Sequence, residues 1–239
     1  MGTELIGREA VGMPICHEHR FVFLHVPKTG GVSVTQALRR AGLTFTFDRS
    51  VSVWPKVALH SHNGDLVRRL KAVYPLNTVS GLREPHLPAS VLFDLAEPQA
   101  REYFTFTFVR NPWALVVSTY HYWVKVFAEH EELGRLDPDF PPLLDGDFSA
   151  FVRRYPMAAT DQTAFISDEQ GRSLANFVGR SERLYDDFET VCSRIGVTAT
   201  LRHENATEHG PYRDYYTGET RAIVARHFAR DIAAFGYRF

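Results

Sequence analysis

A short apolar run, Phe21–Val26, breaks into Pro27-Lys28-Thr29-Gly30-Gly31, and Val32–Ala41 then carries Val34, Ala37, Leu38 and Ala41 on one helical face, with Gly42 as its stop. A buried strand, a glycine loop and a helix in that order bring main-chain N–H groups together at one point. The glycines let those N–H groups turn inward, and a helix N-terminus adds orphan donors and partial positive charge. Lys28 supplies a mobile cation and Ser33 a hydroxyl. The combination reads as an anion cradle. It is not the common ATP loop, in which lysine and then Ser/Thr follow the glycines. Here lysine precedes them, so a different phosphate geometry is expected. The plain alternative is a Gly-Gly turn with a surface lysine.

A second stretch repeats the arrangement. Residues 103–109, YFTFTFV, alternate as a core strand; Arg110 and Asn111 follow; Pro112 opens a long helix that carries Ser118 two turns in. Arg110 leaves the strand at the end where open α/β sheets bind ligands. A guanidinium fork and a hydroxyl together suit a phosphate, whereas the plain alternative is a surface ion pair. Further helices are expected at 63–74, 148–155, 181–196 and 218–237. Two strands around a Gly171 turn are expected in 163–180. Strands separated by helices imply an α/β fold, a central mainly parallel sheet flanked by helices. Residues 1–20 read as an irregular lead-in and 21–239 as one domain.

Composition narrows the partners. Of 239 residues, 44% are apolar, and the formal net charge is −1. Any anion site is therefore local, and neither nucleic acid nor an anionic membrane is expected as partner. No apolar run approaches the roughly 20 residues of a membrane span. The polar first 20 residues do not read as a secretory signal, so a cytoplasmic protein is expected. Two cysteines, Cys16 and Cys192, imply no disulfide framework.

The segments FLHVPKTGGVS and FVRNPWALVVSTY resemble the two cofactor signatures of PAPS-dependent sulfotransferases. In particular they are similar to the branch containing the carbohydrate (heparan sulfate 2-O-type) sulfotransferases and their bacterial relatives. The likeness continues through QTAFISDEQGRSLANFVGRSERLYDDFETVCSRIG and HENATEHGPYRDYYTGETRAIVARHFARDIAAFGY. It implies a P-loop-like three-layer fold and sulfonyl transfer from PAPS (3′-phosphoadenosine 5′-phosphosulfate) to a carbohydrate or small-metabolite hydroxyl, with PAP as product and no metal. It assigns Pro27, Lys28, Thr29, Gly30, Gly31, Val32 and Ser33 to the 5′-phosphosulfate. Arg110 and Ser118 go to the 3′-phosphate, and Tyr212 and Arg213 to a cofactor-side stretch. Two positions depart from the family pattern: Val32 where threonine is usual, and Leu115 where arginine is frequent.

The acceptor hydroxyl needs a base, and histidine titrates near neutrality. By resemblance the base falls in the His60-Ser61-His62 stretch. His62 is the first choice and His60 the reserve, with Glu84 a rival and polar surface roles the plain alternative. Cys16-His17-Glu18-His19 packs metal-ligand types together but lacks the separated pairs of a closed zinc site. Aromatic faces suit sugars and aryl groups, so His121, Tyr122 and Trp123 are candidates for an acceptor platform, with Trp123 expected in the core. The rival functions are a non-catalytic PAP-binding module, or an ATP-dependent kinase that would need magnesium.

Overall fold

A computed structural model describes residues 15–45, 88–132, 147–154, 161–202 and 210–239. Elements are numbered over these residues. The sheet has four strands in the order β1 (Ile15–Cys16), β2 (Phe21–Leu24), β3 (Phe104–Val109) and β4 (Phe177–Arg180). β1 pairs antiparallel with β2, while β2–β3 and β3–β4 are parallel. The helices are α1 (Gly31–Arg40), α2 (Ala89–Leu95), α3 (Pro112–Glu132), α4 (Phe148–Arg154), α5 (Gln162–Phe165), α6 (Leu184–Ile195), α7 (Gly218–His227) and α8 (Ala229–Phe235). This is the expected α/β architecture of a mostly parallel sheet between helices.

Both faces of the sheet are buried, as parallel strands require. Phe21 and Phe23 of β2 and Phe106 and Phe108 of β3 point to one face. There they pack with Val34, Ala37 and Leu38 of α1 and Phe188 and Val191 of α6. Val22 and Leu24 point to the other face, against Val91 and Leu92 of α2. The threonines that alternate with phenylalanine in β3 do not face water. Thr105 and Thr107 are buried, and the Thr107 hydroxyl donates to the Leu24 carbonyl of the neighbouring strand at 2.7 Å. A third cluster joins α3, α4 and α7 through Trp113, Leu115, Phe151, Val224 and Phe228.

Three expectations change. Ile15–Cys16, within the expected irregular lead-in, forms a short hairpin rung against β2, because both side chains are apolar and fully buried. The segment 163–180 begins as a helical turn, not a strand. Asp161 caps α5 by accepting from the Ala164 N–H, and Asp231 takes the Gln162 and Thr163 N–H groups. The second of the two expected strands is present as β4, and the first is reduced to a single antiparallel bridge, Ser167 to Ser173, around Gly171. The long terminal helix divides at Phe228, which is buried in the third cluster. The expected helix at 63–74 lies outside the described residues.

Candidate functional site

β2 and β3 run in parallel register, Leu24 opposite Thr107, so the chain leaves both strands at the same edge. The Pro27–Gly31 loop and the Arg110–Asn111 loop therefore sit side by side. Within the first loop the buried Thr29 hydroxyl donates to the Val26 carbonyl at 2.8 Å and closes the turn. Lys28 has φ +65°, a left-handed conformation that non-glycine residues adopt only when their surroundings impose it. One of those constraints is Arg110, whose guanidinium donates to the Lys28 carbonyl at 3.1 Å.

The glycines have separate reasons. Gly30 has φ +97°. Gly31 opens α1 where a Cβ would sit 1.9 Å from the His25 ring, so only glycine lets the helix start that close to β2. α1 then begins with no side-chain cap and no acidic residue in its first turn, while Arg39 and Arg40 sit in its last. The first-turn N–H groups lack intrahelical acceptors and the dipole favours an anion there. The Val32 N–H is one of these first-turn donors. Ser33, on the first turn of α1, and Ser118, in the second turn of α3, are both buried.

The electrostatics are strongly cationic. Lys28 is lowered from 10.5 to about 8, first by burial and then by the positive charges of Arg110 and Lys125. Its ammonium lies 4.3 Å from the centre of the Tyr122 ring. Ser118, Tyr122 and Lys125 share one face of α3 at i, i+4, i+7 spacing. Burial also pushes Arg110 below its usual range, with Glu182 and Tyr237 opposing. The arrangement offers two cations, an open helix N-terminus and two hydroxyl residues. Its donors are what the terminal phosphates of a nucleotide bisphosphate would use. No carboxylate cluster of the kind a metal needs occurs among the described residues.

The remaining candidates are placed as follows. Arg213 lies over the Tyr212 ring at 4.8 Å and over Phe239 at 5.8 Å. Neither Tyr212 nor Arg213 hydrogen-bonds to Lys28 or Arg110. Phe239 in turn packs edge-on against Trp113, which ties this patch to the second loop. His121 bonds the Tyr215 hydroxyl at 2.9 Å, leaving Tyr122 as the aromatic beside Lys28. Leu115 is fully buried in the third cluster, so this position belongs to the core here and has no polar partner to contribute. The Cys16–His19 side chains diverge. Cys16 is in the core, His17 bonds the Tyr103 hydroxyl and His19 the Ile195 carbonyl. His60, His62 and Glu84 lie outside the described residues.

Sequence reasoning missed the groups behind Arg110. Gln162 brackets its main chain, and Glu182 accepts from the Asn111 N–H at 2.6 Å. No short-range pattern marks either residue, because each acts on a loop more than 50 positions away.

A family model described as "Sulfotransferase family" matches residues 12–238. No curated protein and no solved structure matches the chain. Among the described residues no helix is long and apolar enough to cross a membrane.

Proposed function

The chain belongs to the sulfotransferase family, and from that premise we propose that it moves a sulfonyl group from PAPS to an acceptor hydroxyl. One observation carries the choice of donor: Lys28 and Arg110 converge from two loops at one sheet edge, beside an uncapped helix N-terminus. Two cationic side chains carried by different loops suit a nucleotide with phosphate groups at both 3′ and 5′.

In this reading the Gly30–Ser33 N–H groups and Lys28 hold the 5′-phosphosulfate, and Arg110 with Ser118 holds the 3′-phosphate. Bound PAPS supplies the activated sulfonyl group. Lys28 places positive charge where the leaving phosphate gains negative charge, which is where electrostatic stabilisation counts most. His62, or failing it His60, accepts the acceptor's proton. The acceptor is a carbohydrate or small-metabolite hydroxyl, in keeping with the resemblance to the 2-O branch. The exposed Tyr122 ring beside Lys28 gives it an apolar surface to lie on.

The test is calorimetric titration of PAP and of Mg-ATP into the wild type, Lys28→Ala and Arg110→Ala. PAP should bind selectively, and each substitution should weaken it about ten- to a hundredfold, the usual loss for a charge-assisted hydrogen bond. Binding of ATP without PAP would refute the donor assignment and favour a kinase. Tight PAP binding with no sulfonyl transfer by the wild type would favour the non-catalytic module, whereas transfer that survives His62→Ala and His60→Ala would refute the histidine base.

A further inference from the structure

Arg110 lies one residue beyond the end of β3, where the ladder no longer holds its main chain. A side chain takes over. The Gln162 carboxamide oxygen accepts from the Arg110 N–H at 2.7 Å, and its NH2 donates to the Arg110 carbonyl at 2.8 Å. One amide thus satisfies both polar groups of Arg110, as a further strand would.

What keeps that amide the right way round is Asp231 of α8. Its carboxylate accepts from the Gln162 N–H at 3.0 Å and from the Gln162 NH2 at 3.2 Å. It also accepts from the Thr163 N–H at 2.8 Å and from the Thr163 hydroxyl. An ionised carboxylate only accepts, so it must face the NH2 of Gln162, and the carboxamide oxygen must then face the Arg110 N–H. Gln162 and Asp231 are both fully buried, so solvent offers neither a replacement partner. The partners are 52 and 69 residues apart in the chain.

We propose that Gln162, oriented by Asp231, is a positioning residue that aims Arg110 into the anion site. This rests on the reading of Arg110 as the holder of the donor's 3′-phosphate. Among the described residues the guanidinium spends one of its five donors, on the Lys28 carbonyl, which leaves four for a ligand. If the main chain of Arg110 tilts, its guanidinium loses its aim at the 3′-phosphate, while the Lys28 turn stays closed by the Thr29 hydroxyl on the Val26 carbonyl.

The experiment compares PAP with 5′-AMP, which lacks the 3′-phosphate, by calorimetry. Arg110→Ala should remove about ten- to a hundredfold of the preference for PAP. Gln162→Met and Asp231→Asn should each remove about fivefold or more of the same preference while 5′-AMP binding stays within about twofold. In the Arg110→Ala background Gln162→Met should cost no further PAP affinity, since it acts through the missing side chain. Where Gln162→Met does not yield folded protein, Gln162→Asn gives the same comparison with an amide one methylene short. Equal loss of PAP and 5′-AMP, or a full additional loss on top of Arg110→Ala, overturns the proposal in favour of plain structural support. If Arg110→Ala itself leaves the PAP preference intact, the 3′-phosphate assignment fails first and the positioning role falls with it.

Discussion

Lys28 is expected to be half neutral at pH 8 in the free protein and fully charged when a phosphorylated ligand is bound. Its displacement from 10.5 to about 8 corresponds to about 3 kcal/mol disfavouring the ammonium. That figure is an upper one, because part of the side chain meets solvent. A bound anion reverses all three causes of the displacement: it replaces lost hydration and offsets Arg110 and Lys125. PAP binding at pH 8 should therefore take up about half a proton per site, falling toward zero near pH 7. Above pH 8 the affinity should drop about tenfold per pH unit. Calorimetry in buffers of differing ionisation enthalpy reads the proton count directly. Work at pH 7 and above keeps the ligand's own phosphate titration, near pH 6, out of the measurement. Zero uptake by the wild type at pH 8, or the same uptake in Lys28→Met, would refute the reasoning.

The same displacement has a consequence for folding. The folded chain binds Lys28's proton less tightly than the unfolded chain does. Its charge therefore costs stability below pH 8, and that cost disappears as pH rises from about 8 toward 10.5. Lys28→Met should weaken PAP binding about ten- to a hundredfold yet raise the midpoint of thermal unfolding at pH 7 by about 3 °C or more. A lower midpoint would mean the ammonium is held by attractions that outweigh its burial.

Gly31→Ala forces a Cβ to within 1.9 Å of the buried His25 ring and should cost about 3 kcal/mol or more in urea unfolding; a change under about 1 kcal/mol would show that the ring moves freely. Val32→Thr restores the hydroxyl usual in the family at the second residue of α1, and should tighten PAP by about fivefold, one net hydrogen bond, in the same titration; unchanged affinity would mean the Val32 N–H already meets that phosphate oxygen.

The two loops were legible in the sequence because their determinants are local. A strand, a glycine pair and a helix onset occupy about 20 consecutive residues, and glycine is required there for reasons a short window contains. Even so, the reading of β3 was incomplete. Alternating phenylalanine and threonine indicates a strand, yet it does not say that the threonine face is buried too. That follows from the parallel neighbour, whose Leu24 carbonyl accepts the Thr107 hydroxyl. The supports behind Arg110 left no such trace. Gln162 sits just before a segment whose residues suited a strand, and opens a helical turn there because Asp231 supplies acceptors for the Gln162 and Thr163 N–H groups. Asp231 in turn sits in the expected helix at 218–237, 69 residues from the amide it orients. Neither residue's role exists until α5 and α8 meet at the end of β3.

That difference explains the layout of the site. The parts proposed to touch an anion come from turns, where conformation is set by a few adjacent residues. The parts that hold those turns come from the far end of the chain. Asp231 anchors Gln162. The Asn111 side chain donates to the Arg238 carbonyl at 2.9 Å, and Tyr237 bonds Glu182 at 3.3 Å. The second loop is therefore completed only when the C-terminal segment docks. Folding of residues 229–239 and formation of a competent Arg110 site should be one cooperative event, because the Asn111 side chain and the Asp231 carboxylate find partners across that contact.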